Sequence, residues 1–283
     1  FAEVRPGALE FALLKDGEET GIVFRGIPNG HEFTSLLLAI LNADGKGKNL
    51  PDEGITRRIR ALQGDIRLQT YVSLVCTNCP DVVQTLNIMT LLNPNIRHEM
   101  VDGALFQEEV NKLNVQAVPA VFANGKLIHV GRGSLGELLD KLEECYTSSD
   151  DGEGCTTKER EFDVLVLGGG PSGASAAIYS ARKGLHVGIV AERIGGQVKE
   201  TVGIENLISV PYTTGSELAD NLRTHLTRYP VELFENRRIE EVHLKGSMKQ
   251  VVVKGNEVFR APAVIIATGA GWRQLGVKGE TEY

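Results

Sequence analysis

The chain has 283 residues, 42% of them apolar, and 37 acidic against 30 basic side chains give a formal net charge of −7. That length suggests two or three domains of ordinary globular composition. The negative balance offers no basic field for nucleic acid or an anionic membrane, and the longest strongly apolar run, Leu36 to Leu41, is far too short to span a bilayer.

Pro6 leads into a predicted strand, Leu9 to Leu14, a turn at Asp16-Gly17 and a second strand, Gly21 to Phe24. Gly30 then precedes a helix-like run, His31 to Leu41. Further on, a strand-like run, Leu68 to Val75, ends in Cys76-Thr77-Asn78-Cys79-Pro80, and Asp81 to Leu92 reads as a helix. Two thiols three apart at a helix start can close a disulfide within one turn. The first faces water and the positive end of the helix, and both favour the thiolate that attacks disulfides. The alternatives are half a zinc site or a buried structural pair.

Ile96 to Val101 is predicted as a strand and Phe106 to Leu113 as a helix. Val118 to Phe122 is a strand, and Asn124-Gly125 turns it into another, Lys126 to Val130. Ser134 to Leu142 is a closing helix, with Ser134 at the N-cap position and Glu137 three residues on. Strand, dithiol, helix, strand, helix, proline, hairpin, helix is the order of a thioredoxin-like domain. In that fold a cis-proline sits beside the dithiol and shapes the partner groove. Pro119, 40 residues past Cys79, is in that place. It also leads into the same succession that follows Pro6: strand, turn, strand, Gly, helix. Residues 1–64 therefore read as the tail of a first thioredoxin-like fold and 65–145 as a complete second one. Two unrelated hairpin-helix units are the plainer alternative.

Residues 146–161 are polar, charged and without apolar periodicity, and read as a linker. Four cysteines are too few for a disulfide scaffold at this length, and a Cys-x-x-Cys beside few others fits a reducing cytoplasm. Cys145 and Cys155 read as free thiols, with a regulatory disulfide as the alternative.

After the linker the chemistry changes. Phe162 to Leu167 is a near-continuous apolar strand running into Gly168-Gly169-Gly170-Pro171-Ser172-Gly173 and an Ala-rich helix, Ala174 to Lys183. A second strand, His186 to Val190, leads to Glu192, nineteen residues past Gly173. This is GxGxxG in its required setting: Gly168 for the tight turn, Gly170 for approach of a pyrophosphate, Gly173 for close helix packing, and Glu192 for a ribose hydroxyl. FAD and NAD sites share this unit, and pattern alone leaves FAD moderately ahead. Ala263 to Ala267, ending at Thr268-Gly269, is predicted as another buried strand, similar to the returning strand of two-dinucleotide flavoproteins.

Taken together, Gly30 to Ser35, Cys76 to Val83, Gly168 to Gly173, Gly195-Gly196-Gln197, Ile204-Glu205-Asn206 and Ala267 to Ala270 closely resemble the F subunits of bacterial alkyl hydroperoxide reductase. These are flavoproteins with tandem thioredoxin-like folds ahead of a thioredoxin-reductase-like body. The resemblance implies an α/β chain whose residues 162–283 are the first part of a Rossmann-like FAD-binding domain. It implies a homodimer when intact and a relay from NADH through FAD and a second dithiol to the N-terminal dithiol, which reduces a partner peroxiredoxin. Cys76 is then the attacking thiol, Cys79 the resolving thiol and Glu32 their proton acceptor and donor. A local reading of Glu32 is a helix-start acid on the dipole. Gly195, Gly196 and Gln197 match a flavin-proximal loop, Asn206 a residue contacting the flavin or its ribityl side, and Thr268 and Gly269 a strand end near FAD. Arg193 is expected either at the adenosine phosphates or as a solvated charge. No second Cys-x-x-Cys is present and no second GxGxxG follows Gly173, so the chain is expected to be a piece of a longer enzyme, cut at both ends. A thioredoxin reductase fused to a module serving other disulfides, and a non-enzymatic thiol adaptor, are the alternative functions.

Overall fold

In the computed structural model, residues 2–4, 9–48, 50–146, 159–255 and 257–270 are described. The chain divides into two compact units, one within residues 1–150 and the other within 151–274.

The first unit runs β1 (Ala2–Val4), β2 (Glu10–Lys15), β3 (Glu18–Arg25), a 3-10 turn (Gly30–Glu32), α1 (Phe33–Ala43), α2 (Glu53–Ala61), β4 (Ile66–Val72) and α3 (Cys79–Leu92). It continues with β5 (Ile96–Asp102), α4 (Gln107–Lys112), β6 (Ala120–Ala123), β7 (Lys126–Val130) and α5 (Leu135–Tyr146). The strands form one sheet in the order β1-β2-β3-β5-β4-β6-β7. Asn124 and Gly125 both take positive φ in the hairpin, as the Asn-Gly pair predicts. The Ser134 hydroxyl accepts from Glu137 N at 3.3 Å at the start of α5.

The β4-α3-β5-α4-β6-β7-α5 portion is the expected thioredoxin-like fold. The earlier hairpin does not form a sheet of its own. β3 pairs parallel to β5, so both parts share one sheet. Arg25 of β3 reinforces the join: it donates to Glu109 of α4 at 2.9 Å and stacks over the Phe106 ring at 4.2 Å. Helix α2 ends before the expected boundary at residue 64, but its packing crosses it. Its Ile55 and Ile59, with Leu62, are buried in one core with Val82, Leu86 and Met89 of α3 and Leu138, Leu139 and Leu142 of α5. Arg58 of α2 bonds Asp140 and Glu143 of α5 at 2.7 and 2.8 Å. The packing places α2 with the second fold because its i, i+4, i+7 apolar stripe has that core to cover.

The second unit begins earlier than the polar composition suggests. Tyr146 closes α5, and Glu159–Glu161 form β8, an edge strand parallel to β14 (Glu257–Ala261). The expected linker is thus structured at both ends. Its interior, 147–158 with Cys155, lies outside the described residues, whereas Cys145 is a free, exposed thiol.

From there the chain forms β9 (Val164–Gly169), α6 (Pro171–Ala181), β10 (Val187–Ile194), a 3-10 turn (Gly196–Glu200), α7 (Gly215–Leu226) and β11 (Val231–Phe234). β12 (Ile239–His243), β13 (Lys249–Val253), β14 and β15 (Ala263–Ile266) complete it. A parallel sheet, β11-β10-β9-β15, packs one face on α6 and α7 and the other on the β12-β13-β14-β8 sheet. β9 is buried on both faces: Val164 and Val166 face the helices, Leu165 and Leu167 the second sheet. That explains its unbroken apolar run. β15 corrects an expectation. Among the described residues it pairs only with β9, at the sheet edge, and is largely exposed rather than buried.

Candidate functional site

The dithiol is assembled by three loops at one end of the strands of the first sheet, after β3, after β4 and before β6. α3 starts at Cys79, two residues earlier than expected, so Cys76 lies ahead of the helix in the turn that follows β4. There its backbone N donates to Ser73 O at 2.9 Å. Cys76 is half-buried, while Cys79 is fully buried among Leu13, Phe24, Val83 and Met100. The Cys76 thiol donates to Val118 O at 3.9 Å, and the Val118-Pro119 peptide is cis, which puts Pro119 beside the dithiol.

Glu32 arrives from the 3-10 turn. His31 N donates to Leu74 O at 3.2 Å, and Gly30 has φ +56°. A Cβ at Gly30 would stand 2.6 Å from Leu74 O, so only glycine lets the two loops meet. Glu32 is 0% exposed, and neither carboxylate oxygen has a hydrogen-bond partner. Burial raises its carboxyl to about 7, and the Asp81 charge adds to this. Ser35 acts the other way, though its hydroxyl does not meet hydrogen-bond geometry with either oxygen. Burial pushes the Cys79 thiol strongly up, followed by its hydrogen bond with Cys76; the charges of Cys76 and Glu32 add to this, and the Ser73 backbone opposes it. Cys79 and Glu32 therefore both favour their protonated forms, and the Glu32 charge acts on Cys79. Among the described residues no group of three His, Cys, Asp or Glu side chains could hold a metal.

The second site lies where β9 meets α6. Gly168 takes φ +112°, and a Cβ there would stand 2.2 Å from Ala267 O, which brings Thr268 and Gly269 beside the glycine loop. A Cβ at Gly173 would stand 2.0 Å from Gly168 O, so helix and loop touch backbone to backbone. Gly170 differs. Its φ of −72° suits any residue, and its Cβ position meets nothing within 4 Å. The space in front of it is open. Pro171 and Ser172 are exposed at the first turn of α6, where Pro has no N–H to leave unmet and the remaining N–H groups point outward.

Gly196 folds over this loop, its Cβ position 3.1 Å from Gly170 Cα, and the Gln197 side-chain amide donates to Ala270 O. The end of β10 lies alongside: Gly195 N donates to Gly169 O at 2.8 Å. Glu192 is exposed there, and Arg193 pairs with Glu200. The structure thus brings together Gly168, Gly170, Pro171, Ser172, Gly173, Gly196, Gln197, Thr268 and Gly269, with Glu192 and Arg193 at one side. Asn206 is exposed in the segment between the Ile204–Thr213 and Leu207–Val210 bridges. Among the described residues, no hydrogen bond joins it to the glycine loop. The pattern reading missed the 235–237 loop, which grips β10 through Asn236 N to Glu192 O at 3.1 Å.

A thioredoxin-like dithiol unit joined to a Rossmann-like dinucleotide-binding unit defines a class of disulfide oxidoreductase modules. Residues 66–144 match the thioredoxin domain family, and residues 162–283 the pyridine nucleotide-disulphide oxidoreductase family. The F subunit of alkyl hydroperoxide reductase from Staphylococcus aureus (strain NCTC 8325) is 47% identical over 272 residues, which is 96% of this chain and 52% of that protein. The F subunit from Pseudomonas putida is 46% identical over 275 residues, with the same coverage. The solved NTD_N/C domain of alkylhydroperoxide reductase AhpF from Enterococcus faecalis is 36% identical, covers 47% of this chain and 64% of that one, and has a TM-score of 0.45. Over nearly its whole length the chain is similar to the alkyl hydroperoxide reductase F subunits, and it spans about half the length of the curated relatives it matches.

Proposed function

We propose that this chain is the dithiol-bearing portion of an NADH-dependent flavoprotein that reduces the disulfide of a peroxiredoxin, the C subunit of alkyl hydroperoxide reductase. The observation that supports it most is the sealed Glu32 carboxyl, held near neutrality beside buried Cys79 while Cys76 stays within reach of solvent. In this reading the Cys76 thiolate attacks one sulfur of the partner disulfide. A Cys76–partner bond forms, the partner's S–S bond breaks, and its first thiolate leaves. Glu32 takes the proton of Cys79, whose thiolate attacks Cys76 Sγ. The Cys76–Cys79 disulfide closes and the second partner thiolate leaves. Two electrons have passed to the partner, which is reduced as the dithiol is oxidised. Pro119 forms the wall of the groove against which the partner's sulfur lies.

The residues of the second unit fit a dinucleotide. Open space in front of Gly170, α6 N–H groups behind it and an acid at the end of β10 are what a pyrophosphate and an adenosine ribose need. FAD would supply the two-electron carrier there. Gly168, Gly170, Ser172 and Gly173 would hold its phosphates, Glu192 its ribose, and Gly196, Gln197, Thr268 and Gly269 would line its approach to the ring. The whole protein is read as a cytoplasmic homodimer that takes electrons from NADH.

The test is partner choice. The chain, reduced chemically and freed of reductant, is mixed with oxidised peroxiredoxin and, separately, with oxidised thioredoxin. Stoichiometric and faster reduction of the peroxiredoxin is expected. Equal or faster reduction of thioredoxin would favour a reductase serving other disulfides, and reduction of neither would favour an adaptor.

A further inference from the structure

We propose that the loop Glu235-Asn236-Arg237 is a positioning device that presents Glu192 to the ribose of the dinucleotide, with Arg237 as its buried anchor. The inference rests on the reading of Glu192 as the ribose acceptor.

The end of β10 leaves its ladder. Its register with β9 shifts between Val190 and Ile194, so the backbone groups there need partners elsewhere. One tripeptide provides them. Arg237 N donates to Ala191 O at 3.1 Å and Asn236 N to Glu192 O at 3.1 Å, while Ile194 N donates to Glu235 Oε2 at 3.3 Å. Gly195 N is tied the other way, to Gly169 in the glycine loop. The segment carrying exposed Glu192 is therefore gripped from both sides, one of them the phosphate cradle itself.

Arg237 locks the grip. It is 1% exposed; its Nε donates to Glu257 Oε2 at 2.7 Å and its Nη1 to Glu235 O at 2.8 Å. One planar guanidinium thus joins β14 to the loop, which the point charge of a lysine cannot do in the same geometry. Asn236 sits between the two contacts at φ +58°, and Arg223 holds the Glu235 carboxylate from outside. A buried ion pair is a weak device for stability, since apolar side chains of similar volume often serve as well. Here Glu257 Oε1 even lacks a hydrogen-bond partner. The geometry fits placement of the β10 end better than it fits stabilisation of the core.

Affinities of the full chain for ADP and 2′-deoxy-ADP, measured by equilibrium dialysis, test this. Loss of one hydrogen bond to a charged acceptor should make the wild type prefer ADP by about 10- to 100-fold. Glu192→Gln should remove most of that preference. Arg237→Lys, Glu235→Gln and the double variant Arg237→Met/Glu257→Gln should each reduce it to about threefold or less while still melting cooperatively, because the double variant removes both buried charges together. A merely structural Arg237 would lower stability and leave the preference intact. Wild-type preference retained in a folded Arg237 variant overturns the proposal. If neither Arg237 variant folds, Glu235→Gln decides by the same criterion. A wild type without preference, or a Glu192→Gln that keeps it, overturns the reading of Glu192 and the inference with it.

Discussion

Glu32 has no contact with water and no hydrogen-bond partner on either oxygen, so its negative charge is costly in the folded chain. Its carboxyl is raised from 4.5 to about 7. Below pH 4.5 it is neutral both folded and unfolded, and its contribution to stability is complete. As pH rises the unfolded chain ionises first, so the contribution falls until about pH 7 and is level above that, a loss of roughly 3 kcal/mol. Glu32→Gln should remove this slope. Urea midpoints of the reduced protein at pH 4.5, 6 and 8 check it; equal slopes in wild type and variant would contradict it. The same substitution should slow closure of the Cys76–Cys79 disulfide by about 100-fold, the low end for losing a general base. In wild type that rate should rise through pH 7. Little of this is local. On its own pattern Glu32 reads as a helix-start acid, and the turn that carries it docks on Leu74, forty-two residues away. Only the family resemblance made its role legible. Arg237 is a sharper case: nothing near it in the chain announces a partner at Glu257.

Among the elements, Gly170 at the N-cap of α6 and Gly173 in its first turn separate ligand space from packing space. Gly170→Ala should leave the melting temperature within about 2 °C, because the new methyl meets nothing and the backbone angles are ordinary, and yet weaken ADP binding at least tenfold. Gly173→Ala should instead destabilise the unit by about 1–3 kcal/mol or more, since its methyl would overlap Gly168 O. Thermal melts paired with ADP titrations distinguish them, and equal effects would contradict the division. In the first unit, Arg58→Met leaves two mostly buried carboxylates without their guanidinium and should cost about 3–5 kcal/mol in a urea melt. Elements with strong local signals were legible: the Asn-Gly hairpin, the dithiol helix and the β9-α6 turn. α2 carries a cap, Asp52 accepting from Gly54 N at 2.8 Å, but its three apolar contacts are separated by charged residues and only the core of the second fold gives them meaning. β15 shows the reverse error, because an apolar run does not reveal which strand stands at the edge.

At the scale of the molecule, the first unit closes three apolar clusters from residues between Phe11 and Tyr146. Residues 1–146 should therefore melt cooperatively alone and reduce insulin disulfides with an external reductant; a broad, non-cooperative melt would show that the unit depends on more of the chain. The sharing of one sheet by the first hairpin and the thioredoxin-like part was beyond the sequence, since a parallel pairing such as β3 with β5 has no local signal. The central claim is that Cys76 attacks and Cys79 resolves. Intact-mass analysis under non-reducing conditions tests it most directly, after reduced variants are mixed with oxidised peroxiredoxin. Cys79→Ser should accumulate a stable one-to-one mixed disulfide through Cys76, and Cys76→Ser should form none. Turnover without accumulation by Cys79→Ser, or a trapped adduct on Cys76→Ser, would contradict the assignment.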